Sequence, residues 1–242
     1  MKTTRTRLTP ATRRLVTGIY GRLDYGTLGS IYCYEGGDEF WRAKRGRCNH
    51  FGSRVAVVLR RKLEQGGRSL YVGAGVAELP ALMMETVELG RTVQPHNLRR
   101  AEVAALNRAC RSTPLTFYAT DAVSATGRFD HLWMVSVLND PEQFPHLSPL
   151  SYGRSNPLTL DPLKFDAERR IVRALVARCM GKLARPGLVT TTTEEVIWIA
   201  EWCHRHRVPY LVGKRYYETA LVGDPICFIQ IGKGAKEAEE GV

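Results

Sequence analysis

Leu70-Tyr71-Val72-Gly73-Ala74-Gly75-Val76-Ala77-Glu78 is the stretch on which the fold turns: a short apolar run passes directly into small residues and then into a helix-forming segment. Glycines at such a junction let the backbone approach a ligand without Cβ collision. The helix N-terminus beyond supplies free N–H groups and a partial positive charge. A dinucleotide fingerprint wants Gly or Ala at the sixth position of its Gly-x-Gly-x-x-Gly pattern. Glu78 stands there and would bring a carboxylate close to a pyrophosphate, which argues against a nicotinamide dinucleotide.

Downstream, short apolar runs alternate with helix-length segments, the pattern of an α/β domain with a largely parallel sheet. Strands are expected at Ser69–Val72, Arg91–Val93, Leu115–Ala119, His131–Leu138 and Leu188–Thr192. Helices are expected at Leu79–Leu89, Leu98–Cys110, Phe165–Ala184 and Glu195–Arg207, from apolar residues recurring at helical spacing. Tyr216–Val222 and Ile226–Ile231, separated by Gly223-Asp224-Pro225, read as a closing antiparallel hairpin. Upstream, Thr12–Leu23 and Ser53–Leu63 read as short amphipathic helices, and the Gly- and Tyr-rich stretch Asp24–His50 as an irregular lid between them. The expected organisation is a helical N-terminal cap over residues 1–67, an α/β domain over 68–233 and a disordered tail over 234–242.

Several segments, in order, resemble class I S-adenosylmethionine-dependent methyltransferases. Val72-Gly73-Ala74-Gly75-Val76-Ala77 is similar to that family's first motif, with Ala77 in place of its third glycine. Gln94, in Thr92-Val93-Gln94-Pro95-His96-Asn97, stands where the family has an acid that binds the ribose hydroxyls; an amide can still bond a hydroxyl. Thr120-Asp121-Ala122 resembles the segment whose aspartate meets the adenine amino group. Phe129-Asp130 resembles the opening of the fourth strand, Leu138-Asn139-Asp140-Pro141 falls where the active-site loop lies, and Leu183 to Val189 resembles the approach to the fifth strand. The similarity covers roughly Arg68 to Lys233. It implies a Rossmann-like sheet of seven strands, the last antiparallel, with helices on both faces. It further implies S-adenosylmethionine held by Gly73, Ala74, Gly75, Gln94, Pro95, Asp121, Ala122 and Leu138, and acceptor chemistry at Asn139 and Asp140. Tyr71 stands where the family has an acid before the first glycine.

Methyl transfer from a sulfonium is an in-line displacement that needs alignment and exclusion of water, and a base only when the acceptor must lose a proton. Tyr25, Tyr32, Tyr34 and Trp41 would wall a substrate site if the N-terminal segment folds as a lid, since aromatic faces favour cations. Core packing under the cap is the alternative. Trp41-Arg42-Ala43-Lys44-Arg45-Gly46-Arg47 also mixes aromatic and basic residues in the manner of an RNA contact. Cys203-His204-Arg205-His206 cannot gather ligands on one helix face, so no metal is expected. Trp198 and Trp202, four apart, suit packing on the sheet or against a second subunit of a homo-oligomer.

The chain has 242 residues, 44% hydrophobic and 24% charged, which is globular and excludes collagen, coiled coil and disorder. Its net charge of +11 is local, with five basic residues in Met1–Arg14 and eight in Phe40–Leu63, neither stretch holding an acid. Such surplus attracts polyanions or simply solvates a face. Six scattered cysteines without a Cys-x-x-Cys pair are expected as buried free thiols. With no long apolar run and no signal-peptide core, the expectation is a soluble cytoplasmic protein with no membrane partner. The functional expectation is methyl transfer to a small molecule ahead of RNA, with a non-catalytic Rossmann-like binding protein as the different-class alternative.

Overall fold

A computed structural model describes residues 6–33, 36–151, 161–221 and 223–232. Contacts divide the chain into two compact units, Met1–Ala125 with Tyr217–Gly223, and Thr126–Tyr216 with Asp224–Val242. The described residues hold six strands rather than the seven expected, and none of their helices is long and apolar enough to cross a membrane.

The first unit opens with three helices, α1 (Pro10–Arg22), α2 (Tyr25–Tyr32) and α3 (Gly37–Lys62). Thr9 caps α1 by accepting from the Thr12 N–H, with Pro10 at the first helical position, and Val16, Ile19 and Tyr20 turn inward. Asp24 caps α2 in the same way through the Thr27 N–H. In α3, Asp38 and Glu39 in the first turn and Arg60, Arg61 and Lys62 in the last complement the helix dipole. The irregular lid expected over Asp24–His50 is therefore largely helical. Its glycines are contact points, not breaks: a Cβ on Gly29 would lie 2.8 Å from the Gly37 Cα, and one on Gly37 2.5 Å from the Gly29 Cα. Further along α3, a Cβ on Gly52 would meet the Ala77 carbonyl oxygen at 2.8 Å, so this helix presses directly on the segment after the glycine-rich turn.

Strand β1 (Arg68–Val72) runs parallel to β2 (Thr92–His96), with Leu70 opposite Gln94 and Val72 opposite His96. Between them α4 (Leu79–Met83) continues into a π-helical turn, Met84–Glu88, and α5 (Arg100–Cys110) follows β2. Beneath β1 lies a buried polar network. The Tyr71 hydroxyl donates to Glu85 Oε1 at 2.7 Å, and the Arg91 Nε donates to Glu85 Oε2 at 3.0 Å. The strand expected at Leu115–Ala119 is reduced to a single bridge between His96 and Tyr118. Here the Asn107 carboxamide takes the place of a neighbouring strand, donating to the Phe117 carbonyl and accepting its N–H at 2.9 and 2.8 Å.

In the second unit β3 (Phe129–Met134) lies parallel to β4 (Leu183–Thr192), which pairs antiparallel with β6 (Ile226–Ile231). The expected hairpin of Tyr216–Val222 with β6 does not form, Val222 itself lying outside the described residues. The antiparallel partner of β6 is β5 (Tyr210–Val212), and the pairing extends at each end through Gly232 N–H to the Pro209 carbonyl and Gly213 N–H to the Phe228 carbonyl. A short α6 (Ser148–Ser151), α7 (Pro162–Lys182) and α8 (Val196–Arg205) complete the unit. The β3 strand stops at Met134, short of the expected Leu138, because Ser136 turns the chain at φ 57°. The tail expected over 234–242 lies outside the described residues.

Candidate functional site

In the first unit, three loops meet at the C-terminal ends of β1 and β2. Gly73 is exposed and sits at φ 71°, a left-handed conformation that an L side chain rarely adopts. Ala74 and Gly75 are buried. The Ala74 N–H reaches the His96 carbonyl at 2.9 Å, the Asn97 amide donates to the Ala74 carbonyl at 2.9 Å, and the Tyr20 hydroxyl donates to the Val76 carbonyl at 2.8 Å. The Gly75 N–H is bound by the Glu78 carboxylate at 2.8 Å. That carboxylate at the turn adds like charge where a pyrophosphate would sit, which again disfavours a dinucleotide.

Gly75 is required for space. A Cβ there would lie 2.7 Å from Glu102 Oε1 and 3.5 Å from the Tyr32 hydroxyl. Glu102, on α5, is fully buried and accepts from Tyr32 at 2.7 Å and from Asn97 at 3.1 Å. Burial pushes its carboxyl above the ordinary value against those bonds. Gln94 is half-buried within β2, followed by buried Pro95. His96 ends the strand and bonds the Thr120 hydroxyl at 3.0 Å through Nδ1, while its ring stacks on Tyr118. Asp121 caps the one-turn helix Ala122–Ser124, accepting from the Val123 N–H at 3.0 Å; it is exposed, and Ala122 beside it is buried. Tyr71 points away from this group, its hydroxyl spent on Glu85 in the core.

These groups suit S-adenosylmethionine chemically. A turn of small residues admits close backbone approach, and an exposed carboxylate beside a small residue can accept from an exocyclic amine, while Gln94 stands in mid-strand, two residues before the end of β2.

In the second unit, Leu138 and Asn139 are fully buried, and Asp140 accepts from the Glu142 N–H at 2.9 Å. The Asn139 amide donates to Asp224 at 3.4 Å, and its Oδ1 has no hydrogen-bond partner among the described residues. The loop carrying them is held by Glu195, a residue the sequence reading used only as a helix start. Its carboxylate is buried and accepts from the Ser136, Val137 and Leu138 N–H groups at 3.0, 2.6 and 2.6 Å. The signal was present as Thr192-x-x-Glu195, a reciprocal cap at the start of the next helix. Burial pushes this carboxyl up, and the backbone donors oppose the shift.

The aromatic residues of the N-terminal helices do come together. Tyr25, Tyr32 and Phe40 pack their rings on Trp41 with centroids 6.1, 5.5 and 5.2 Å away, and Trp41 has no exposed surface. Tyr34 lies outside the described residues. All six cysteines are free thiols, five of them buried; burial pushes the Cys48 and Cys227 thiols up to about 12. Of the Cys203–His206 run, His206 stacks on Trp202 and His204 meets the Tyr210 hydroxyl, so the side chains diverge around the helix end.

No protein-family model and no curated protein matches the sequence. Among solved structures, magnesium protoporphyrin IX methyltransferase (ChlM) of Synechocystis PCC 6803, with bound SAM, superimposes with a TM-score of 0.52 at 12% identity over 86% of this chain and 97% of its own. Trm5b of Pyrococcus abyssi gives 0.46 at 10% over 74% of this chain, which spans about half of that protein (48%). Precorrin-6y C5,15-methyltransferase of Geobacter metallireducens GS-15 gives 0.47 at 9%, over 74% of this chain and 87% of its own. With parallel β1 and β2, the small-residue turn after β1 and an antiparallel strand against β4, the chain has the fold of the class I S-adenosylmethionine-dependent methyltransferases.

Proposed function

We propose that this protein is an S-adenosylmethionine-dependent methyltransferase. The observation that carries the reading is the convergence of the Gly73–Gly75 turn, the end of β2 at His96 and Asn97 and the exposed Asp121 segment in one unit of this fold. Ligands of open α/β sheets bind at the C-terminal ends of parallel strands, where these residues stand. When bound, the cofactor supplies a methyl group on a positively charged sulfur. The chain's part is to bind and orient: Gly73 to Gly75 admit the amino-acid portion, Gln94 and Pro95 the ribose, and Asp121 and Ala122 the adenine. Of the pair assigned to the acceptor, Asn139 and Asp140, only Asp140 has exposed surface to meet a nitrogen or hydroxyl nucleophile; Asn139 is fully buried.

The burial of Trp41 within its ring cluster leaves it no surface to offer either a small substrate or an RNA base, so the acceptor class rests on other residues. Calorimetric titration of the purified chain with S-adenosylhomocysteine, with NAD in parallel, tests the assignment. Micromolar binding of the former alone supports it. Binding of neither compound overturns it in favour of a non-catalytic Rossmann-like binding protein.

A further inference from the structure

We propose that the outer face of α3 is an RNA-binding surface. The helix is unbroken from Gly37 to Lys62, and Trp41, Cys48, Val55, Ala56 and Leu59 define its buried side. Arg47, Arg54 and Arg61 recur every seventh residue on the opposite side, with His50 between the first two, and all four are exposed. At 1.5 Å per residue the three guanidiniums stand about 10.5 Å apart in a row about 21 Å long. One strand of a duplex carries a charge per roughly 3.4 Å of axis, so such a row spans about six phosphates.

Among the described residues the row makes no ion pair where other arginines of the chain do, its one charge contact being the Arg47 guanidinium over the Phe51 ring at 5.6 Å. Arg108 pairs with Asp24, Arg60 with Glu88, and both Arg173 and Arg205 with Glu201. Among the described residues no carboxylate comes within ion-pair distance of Arg47, Arg54 or Arg61. After Glu39 the helix has no acid at all, whereas a merely solvated helix gains from alternating i,i+4 pairs. Arginine also suits phosphate better than lysine does, because its planar fork binds two oxygens at once.

A lipid surface fits less well. None of the large exposed hydrophobic side chains of the described residues lies on α3, and a membrane-surface helix needs an apolar face to bury. RNA is favoured over duplex DNA by His50. Its exposed ring, braced edge-on by Phe51 at 5.3 Å, offers a flat face in the middle of the row on which an unpaired loop base can stack.

The test uses the full chain and fluorescence anisotropy of a labelled RNA hairpin of about 20 nucleotides, between roughly 50 and 200 mM salt. The triple variant Arg47→Ala, Arg54→Ala, Arg61→Ala is compared with a charge-matched control, Arg111→Ala, Arg170→Ala, Arg178→Ala, all exposed positions elsewhere. Loss of three phosphate contacts should weaken binding at least about tenfold and flatten the log–log salt slope by about 2 to 3, while the control changes affinity less than about threefold. Equal losses in both variants, no loss in the row variant, or no RNA binding by the parent overturns the proposal. So does equal binding of the matching DNA duplex, or tighter binding of phosphatidylserine vesicles through the same arginines. The surface does not depend on the methyl-transfer reading: S-adenosylhomocysteine binding without RNA binding removes only the surface, and the reverse removes only the transferase.

Discussion

Glu195→Gln keeps the shape of the side chain and removes one acceptor. Oε1 accepts from the Val137 and Leu138 N–H groups, both at 2.6 Å, and Oε2 from the Ser136 N–H at 3.0 Å, the Thr191 hydroxyl at 3.0 Å and the Thr192 N–H at 3.3 Å. A carboxamide has a single oxygen, so whichever way it turns, its NH2 group confronts at least two of these donors. Two buried donors left unpaired cost about 1–3 kcal/mol each, or about 2–6 kcal/mol together. Removing a buried charge recovers part of its desolvation, which moves the expected loss to the lower half of that range. In a chain of this size each kcal/mol shifts the melting midpoint by about 2–4 °C, so the variant should melt at least about 4 °C lower. The local counterpart is faster amide hydrogen exchange at Ser136, Val137 and Leu138. Thermal unfolding and exchange mass spectrometry on parent and variant measure both. An unchanged midpoint with unchanged protection at these three amides would show that the carboxylate does not hold the loop.

Other outcomes follow from the same geometry. Gly75→Val places a Cβ 2.7 Å from the Glu102 carboxylate; it should destabilise by about 1–3 kcal/mol and abolish S-adenosylhomocysteine binding, and retained affinity would exclude the turn as the cofactor site. Asp121→Ala, at an exposed position, should weaken that binding about tenfold and, through loss of the cap on Val123, destabilise by only about 0.5–2 kcal/mol. Burial pushes the Glu88 carboxyl up, but the Thr9 N–H, Arg60 and Thr12 outweigh it and hold the folded value below 4.5. Its contribution is therefore complete above the unfolded value of 4.5 and is lost as pH falls through the folded value, so Glu88→Gln should flatten the acid limb of a stability-against-pH curve.

The strand before the glycine-rich turn was legible because its apolar run is bounded at Val72-Gly73, whereas the apolar pattern of the next stops at Val93 although Gln94, Pro95 and His96 continue that strand in register with Leu70 to Val72. Glycine was also the source of the largest misreading. Gly29 and Gly37 read as breaks in a lid, yet they are the places where two helices touch backbone to backbone, a use that only the partner helix reveals. Period could not have found β5 either. The pairing of Tyr210–Val212 with β6 spans a connection from Gly213 to Pro225, while the tight Gly223-Asp224-Pro225 turn offered a local hairpin that tertiary contacts override. At the candidate site the sequence order proposed the Gly73–Gly75 turn, Gln94 and Asp121, of which the turn and Asp121 lie beyond strand ends and Gln94 lies inside β2. Glu102 and Glu195 escaped it because each is a carboxylate on or beside an ordinary helix, distinguished only by what it meets after folding.

The carboxamide of Asn107 has a consequence for behaviour at high concentration. The segment around Phe117 lies alongside β2 with its peptide facing outward, and an open peptide edge is a template on which a strand from another molecule can add. Asn107 occupies that template with the same donor and acceptor a foreign strand would present, so one side chain keeps the margin from growing. Its replacement by leucine, which has the bulk but neither polar group, would uncover the edge and should raise self-association with concentration relative to the parent.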